Sequence, residues 1–305
     1  MLNYVFRRLG GAIPTLFIII AGTFFMMRLA PGGPFARERV VPPEVEANLM
    51  KAYHLDEPLW QQFLRYLSGL AQGDFGPSFK YKDFTVAELI FRGFPVSLQL
   101  GAIAITLALV IGLTLGIAAA LRQNSSTDYA AMSVSMVGIA VPNFVVAPIL
   151  TLVIGMQLQL LPVGGWGKTS NYVLPVIALC LPQIAAIARL TRASMIEVLS
   201  SNYVRTARAK GLPARLTITR HAIRAALLPV VSYLGPAIAN IITGSVVVEQ
   251  IFSIPGIGRY FVQGSLNRDY TLVMGVTVFY GALIILCNLI ADLLYGVLDP
   301  KVRYD

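Results

Sequence analysis

Charge is what this sequence has least of. Only 13% of its 305 residues are charged and 56% are hydrophobic, whereas a soluble domain carries about 25% charged residues. So little polar surface does not cover a globule of this length, which excludes an ordinary soluble enzyme and a disordered chain. Cysteine and histidine are scarce too, two of each. Cys180 and Cys287 lie in apolar runs, so neither a disulfide framework nor a C-x-x-C metal pair is in view. The phosphate-cradling G-x-x-x-x-G-K-[ST] and the zinc motif H-E-x-x-H are both absent. Gly256-Ile257-Gly258 follows Pro255 and reads as a turn, not as the opening of a dinucleotide-binding unit.

Long apolar runs are what the chain does have. Six nearly charge-free stretches, about 9–29, 97–121, 131–156, 172–188, 225–248 and 271–298, are each long enough to cross about 30 Å of hydrocarbon, the fourth only just. The first is read as a retained helix. It follows Arg7 and Arg8 as a signal peptide would, but it is long for one, and Arg28-Leu29-Ala30-Pro31 is not a small-x-small cleavage site. The predicted fold is therefore an all-α integral membrane protein of six transmembrane helices. Residues 1–95 supply the first helix and a long outer loop, and 96–305 the remaining five helices.

The net charge of +9 raises nucleic acid as a ligand, and its placement argues against that. With the N-terminus inside, the inner segments hold thirteen Lys and Arg while the two short outer loops hold Lys168, Arg259 and Arg268. This bias predicts that both termini are cytoplasmic. The loop 31–95 carries seven basic and eight acidic residues and is long enough to cross regardless of charge. The same topology puts His54 and His221 on opposite faces, so no Ser–His pair can form within a span. Of the carboxylates, only Asp292 lies clearly inside a run, and it sits near the inner end. A proton-driven carrier usually holds several ionisable groups at mid-membrane. The chain thus has no visible engine of its own, and a transport role needs energy from another subunit.

Two regions invite a function. Prolines and small residues crowd the spans, in Val141-Pro142-Asn143-Phe144, around Pro175 and Pro182, and through Gly235-Pro236 to Ser245. Small residues let helices approach closely, and prolines free carbonyls where protein or a cavity can satisfy them. Asn143, Asn240 and Asn288 are amides at or near membrane depth. With Thr243 and Ser245, Asn143 and Asn240 are candidates for the lining of a wet pathway; plain helix packing is the alternative. The second region is the inner segment 189–224, with eight basic residues and one acidic. Ser194–Leu199 reads as helix, and Tyr203–Lys210 as a second, shorter one stopped by Gly211-Leu212-Pro213. It is either a loop lying on anionic lipid or a protruding helix that docks on a cytoplasmic partner.

The residues of this second region carry a resemblance. Tyr203–Leu212, with Arg220-His221-Ala222 and Ala226-Leu227-Leu228-Pro229, is similar to the coupling loop of ABC-importer permeases, and within them to the peptide-transporter branch. Arg205-Thr206-Ala207 stands where the general pattern has Glu-Ala-Ala, Gly211 matches its glycine, and the distance to Pro229 is longer, as in the peptide branch. Arg7-Arg8, Pro14-Thr15, Arg28-Leu29-Ala30-Pro31-Gly32, Leu55–Pro58, Gly73–Ser78, Glu249–Phe252, Ile254–Gly258, Arg268-Asp269-Tyr270 and Asp299–Tyr304 extend the likeness over the whole chain. Gly73 to Asp83, with Phe79-Lys80-Tyr81-Lys82, most resembles the B-type permeases of enterobacterial oligopeptide importers; dipeptide, glutathione and nickel permeases are built alike.

The resemblance implies a type I importer fold in the bacterial inner membrane and a transport subunit rather than an enzyme. It implies a second related permease, two ATPase subunits and a periplasmic peptide-binding protein, with ATP and magnesium on the ATPases and no cofactor on this chain. Arg205, Thr206, Ala207, Arg208, Lys210 and Gly211 become the expected ATPase-coupling residues. A lone secondary carrier, a membrane enzyme and a membrane scaffold are the rival classes, and an ATPase partner separates the importer from all three.

Overall fold

A computed structural model describes residues 2–29, 48, 50–51, 53–81 and 83–298, with backbone alone for 2–9 and 295–298. Ala30-Pro31-Gly32, Lys82 and the stretch Asp299–Tyr304 lie outside these residues, as do the side chains of Arg7 and Arg8. Nearly everything described is helix: α1 (Leu2–Leu29), α2 (Leu59–Ala71), α3 (Val86–Leu121), α4 (Ser126–Ala140), α5 (Asn143–Leu150, continued as the π-helical Thr151–Gln157), α6 (Thr169–Leu199) and α7 (Asn202–Ala209). A broken helical run follows, α8, made of Ala214–Leu216, the π-helical Thr217–Ala222 and Ile223–Ala226. Then come α9 (Leu228–Ile251), α10 (Ile257–Leu266) and α11 (Tyr270–Leu298).

Among the described residues five helices are long and apolar enough to cross a membrane, or six if α4 and α5 form one bent span. The six expected runs all appear as helix, with three corrections. The run 131–156 is not one straight rod: it turns by 100° between α4 and α5. Proline drives its predecessor out of the α region, and Val141 is extended (φ −104, ψ 117) ahead of Pro142. The run 97–121 begins earlier, at Val86, because Thr85 and Glu88 form a reciprocal cap: Thr85 N donates to Glu88 Oε2 at 2.9 Å and Glu88 N to Thr85 Oγ1 at 3.2 Å. The run 172–188 continues as helix to Leu199, so Arg189 and Arg192 belong to a rod and not to a loop.

The chain forms two compact units, one from Met1–Val96 and Pro255–Leu283, the other from Ser97–Ile254 and Ile284–Asp305. In the first unit α2 packs on α1 through Phe63, whose ring lies 6.0, 5.2 and 5.4 Å from those of Phe17, Phe24 and Phe25. The loop ahead of α3 is clasped to the start of α11 by Asp269, which is fully buried. Its Oδ2 accepts from Ser78 Oγ at 2.5 Å and Lys80 N at 3.0 Å, and its Oδ1 accepts from Thr271 Oγ1 and Leu272 N. The last of these contacts is an N-cap on α11. Nearby, Tyr81 OH donates to Gln263 Oε1 at 2.6 Å; burial first, then neighbouring Tyr260, raises the phenol pKa and keeps it a donor. Asp269→Ala is expected to cost roughly 3 kcal/mol, since charged hydrogen bonds and a cap go together. Protease cleavage between residues 73 and 85 should then appear in gently solubilised protein; unchanged cleavage would contradict the clasp.

In the second unit α6 is the central rod, packed by α4, α5, α9 and the α8 run. Close approach demands glycine at its crossings. A Cβ on Gly116 would lie 2.6 Å from Ala188 O, and one on Gly138 would lie 2.5 Å from Leu181 O. At the end of α4 that faces the 189–224 segment, Asp128 and Arg192 form a two-point ion pair, Nε to Oδ1 at 2.6 Å and Nη2 to Oδ2 at 2.7 Å. The Asp128 side chain is 2% exposed and that of Arg192 27%. Asn124 N also donates to Asp128 Oδ2 at 2.9 Å. This pairing ties α4 to α6 beyond the apolar run.

Candidate functional site

Two surfaces of the second unit gather the residues singled out above. The first is α7. Its helix ends in a Schellman motif: Gly211 N donates to Arg208 O at 3.0 Å, Leu212 N donates to Ala207 O at 3.3 Å, and Gly211 takes φ +78. Glycine occupies this left-handed position without the Cβ strain other residues meet. Val204 and Ala207, three residues apart, are the buried face of α7 and anchor it to its own unit. Tyr203, Arg205, Thr206, Arg208, Lys210 and Gly211 are exposed. Of the six expected coupling residues, Ala207 therefore faces inward and five face out. A Cβ on Gly211 would meet nothing within 4 Å, so this chain leaves its outer side open.

A small core of Ala120, Met195, Ala222 and Ala226, flanked by Ile117, Ile196 and Ile218, ties the end of α6 to α3 and α8, and α7 packs on both α6 and the π-helical part of α8. Displacement of α7 therefore bears on packed rods and not on a loose loop.

The second surface is an open cavity of about 420 Å³ at the α4–α5 bend, lined by Pro142, Asn143, Gln183, Arg189, Tyr233 and Asn240 among others. Asn143 opens α5 directly after the bend, and its Oδ1 is enclosed with no hydrogen-bond partner. Gly244 lets α9 reach it, since a Cβ there would lie 3.0 Å from Asn143 Nδ2. Tyr233 and Asn240, seven residues apart on α9, share one helix face, and Tyr233 OH lies 3.0 Å from Gln183 Oε1. Two of the four expected pathway residues, Asn143 and Asn240, thus meet in one cavity. Thr243 is exposed, with its hydroxyl on Ala239 O and Asn240 O. Ser245 is buried, and its hydroxyl donates to Ile242 O of its own helix.

A cavity of amides between bent helices and, in the same unit, an exposed basic helix make an arrangement for passage and coupling, and comparison with known proteins decides which kind. Residues 112–304 match the family described as binding-protein-dependent transport system inner membrane component, and residues 1–101 match its N-terminal counterpart. The chain belongs to this family.

As a member, the permease is a multi-pass protein of the bacterial inner membrane. It is a transport component rather than an ATPase, and it works with a binding protein and an ATPase. Among relatives, the oligopeptide transport system permease protein OppB of Salmonella typhimurium is 58% identical over 306 residues, covering 100% of both chains. OppB of Escherichia coli K12 is 56% identical with the same coverage, and the dipeptide transport system permease protein DppB of Bacillus subtilis is 46% identical over 99% of this chain and 98% of its own. The crystal structure of an amino acid ABC transporter with histidines aligns with 70% of this chain and 94% of its own, at TM-score 0.53 and 18% identity. That likeness bears on the fold alone.

Sequence reading of the permease missed Gln183, Tyr233 and Arg189 in the cavity. Gln183 is an amide at span depth beside Pro182, so the test that picked out Asn143 applies to it. Tyr233 is found by stepping seven residues back from Asn240. Arg189 lay at the end of an apolar run and was assigned to the basic segment beyond it.

Proposed function

We propose that this chain forms half of the translocation pathway of an importer for oligopeptides. Both termini lie in the cytoplasm, and α7 is the helix that receives motion from the ATPase. Identity with oligopeptide permeases along the full chain, higher than with the dipeptide permease, is the observation that carries the substrate class. The cavity chemistry suits it. Asn143, Gln183 and Asn240 offer amide partners to any peptide backbone, and Arg189 offers a cation to a carboxylate. Such contacts read the backbone and ignore most side chains.

The other half of the pathway is a second, related permease, and Thr243, exposed on α9, is the residue we expect to meet it. Two ATPase subunits hold ATP and magnesium, and a periplasmic binding protein delivers peptide to the outer loops. When ATP closes the ATPase pair, the exposed face of α7, with Arg205, Thr206, Arg208, Lys210 and Gly211, follows. Work passes to the spans only if the two ATPase states contact this face differently.

Uptake of a labelled tripeptide by cells lacking their own copy of this chain, with and without its return, tests the reading. Return of the chain should restore uptake. In the same assay Asn143→Leu combined with Asn240→Leu is expected to lower uptake about tenfold, the equivalent of roughly one hydrogen bond. Ser245→Ala should stay within about twofold, because that hydroxyl serves only its own helix. Restored uptake of nickel or a dipeptide but not of tripeptide would overturn the substrate class.

A further inference from the structure

A second cavity, of about 230 Å³, lies wholly within the first unit, between the end of α1, the polar side of α2, the loop 74–79 and the start of α11. The transport reading makes no use of it. Three polar atoms of its wall residues are enclosed and have no hydrogen-bond partner among the described residues: Arg28 Nε, Tyr66 OH and Gln62 Oε1. The Gln62 amide nitrogen is committed to Leu55 O and Glu57 O, at 3.2 and 2.8 Å, so its orientation is fixed and the oxygen is the atom left over. Gln62 itself is 7% exposed. Enclosed polar groups without partners are rare in native proteins, and three of them on residues around one cavity point to a site for a polar ligand.

The polarity of the wall describes that ligand. Arg28 and Tyr66 both stand on the Phe24 ring, the guanidinium carbon 5.4 Å and the phenol ring 6.1 Å from its centre. Burial raises the Tyr66 pKa, so the phenol stays a donor. This pair presents N–H and O–H to an oxyanion. Gln62 Oε1 and the Asp74 carboxylate, one oxygen of which accepts from Gly76 N at 2.8 Å, present acceptors to an ammonium. Two other polar side chains of the wall are engaged, Arg65 with Glu57 at 2.7 Å and His54 with Glu57 at 3.1 Å. The chemistry is a compact zwitterion, an oxyanion joined to a primary ammonium.

Two sources carry that chemistry, an aminophospholipid headgroup and a free peptide. The surroundings favour lipid. Arg28 ends a membrane-crossing helix, and Phe63 holds α2 against the apolar part of the same helix. Met26 and Leu29 of α1 and Trp60 and Leu64 of α2 are exposed large apolar side chains, suited to acyl chains while the headgroup is held. We propose that this cavity binds the headgroup of a phosphatidylethanolamine-type lipid, its phosphate on Arg28 and Tyr66 and its ammonium on Gln62 and Asp74.

Native mass spectrometry of the complex, purified with all subunits that stay bound, tests this. Dioleoyl phosphatidylethanolamine, phosphatidylglycerol and phosphatidylcholine are added in equal amounts. The ethanolamine lipid should be retained roughly fivefold or more over both others, since the glycerol lipid lacks the ammonium and the choline lipid lacks its N–H donors. Arg28→Gln removes a phosphate contact common to all three lipids and should lower their retention together, several-fold or more, while Asp74→Asn should bring the ethanolamine lipid toward the level of the choline lipid. Tyr66→Phe, which keeps the ring on Phe24, should lower retention of the ethanolamine lipid several-fold even if the first variant assembles poorly. Equal retention of the three lipids, or retention unchanged in all three variants, overturns the proposal. Displacement of the ethanolamine lipid by millimolar trialanine also overturns it and assigns the cavity to peptide.

Discussion

Replacing Gly211 with Asp should abolish peptide uptake while leaving membrane insertion, the fold of this chain and subunit assembly intact. Within this chain the change is mild. Gly211 sits at φ +78, where a non-glycine residue costs roughly 1–2 kcal/mol and Asp is among the better tolerated. No atom lies within 4 Å of the new Cβ, and the Schellman bonds use backbone groups that remain. The expected damage lies outside the chain. If an ATPase approaches at this exposed turn, a carboxylate pressed into that contact is desolvated without a partner, at several kcal/mol. That is a loss of more than about thirtyfold in coupling. Stimulated ATP hydrolysis and tripeptide uptake should fall together. Gly211→Ala isolates the backbone strain and should reduce uptake only a few-fold. Normal uptake in Gly211→Asp would remove α7 as the coupling helix.

The second large effect is expected at Asp128–Arg192. Removing one partner of this ion pair strands the other in a site that water reaches mainly from the Arg192 side. The two single variants should not be equal. Arg192→Ala leaves a carboxylate whose side chain is only 2% exposed, held by the Asn124 N–H alone, so it should be the more damaging. Asp128→Ala leaves a guanidinium 27% exposed, which water can reach. The double variant should be less destabilised than the two single effects added together, the mark of direct coupling. Thermal unfolding of the detergent-solubilised complex reads all three. Equal, additive and small effects would mean that α4 and α6 are held by packing alone.

Both results bear on how the sequence could be read. The spans were legible because about 20 apolar residues is a demand of the bilayer itself. Their ends were less so. A search for apolar runs passes over the polar first turn of α3, although Thr85-Val86-Ala87-Glu88 has the form of a capping box. Ser194–Leu199 was legible as helix, but that it continues the fourth span without a break, with Arg192 paired to a carboxylate 64 residues away, is a long-range contact that no local pattern reports. The bend at Pro142 was foreshadowed by the proline, but its 100° size is set by how α5 packs on α6 and α9. For the cavity, polarity at membrane depth found Asn143 and Asn240. It did not separate them from Ser245, whose hydroxyl turns back on its own helix. Gln183 meets the same test and Tyr233 lies on the face of Asn240, but that they share one cavity is set only where three helices meet.

This chain is a membrane subunit of an ATP-driven peptide importer. The most direct measurement is peptide accumulation in proteoliposomes holding the complex extracted from its native membrane. The account predicts accumulation only with ATP on the cytoplasmic side and peptide-loaded binding protein on the other, and none from a proton gradient. Accumulation by this chain alone, driven by a proton gradient without ATP, would contradict it and make the chain a secondary carrier.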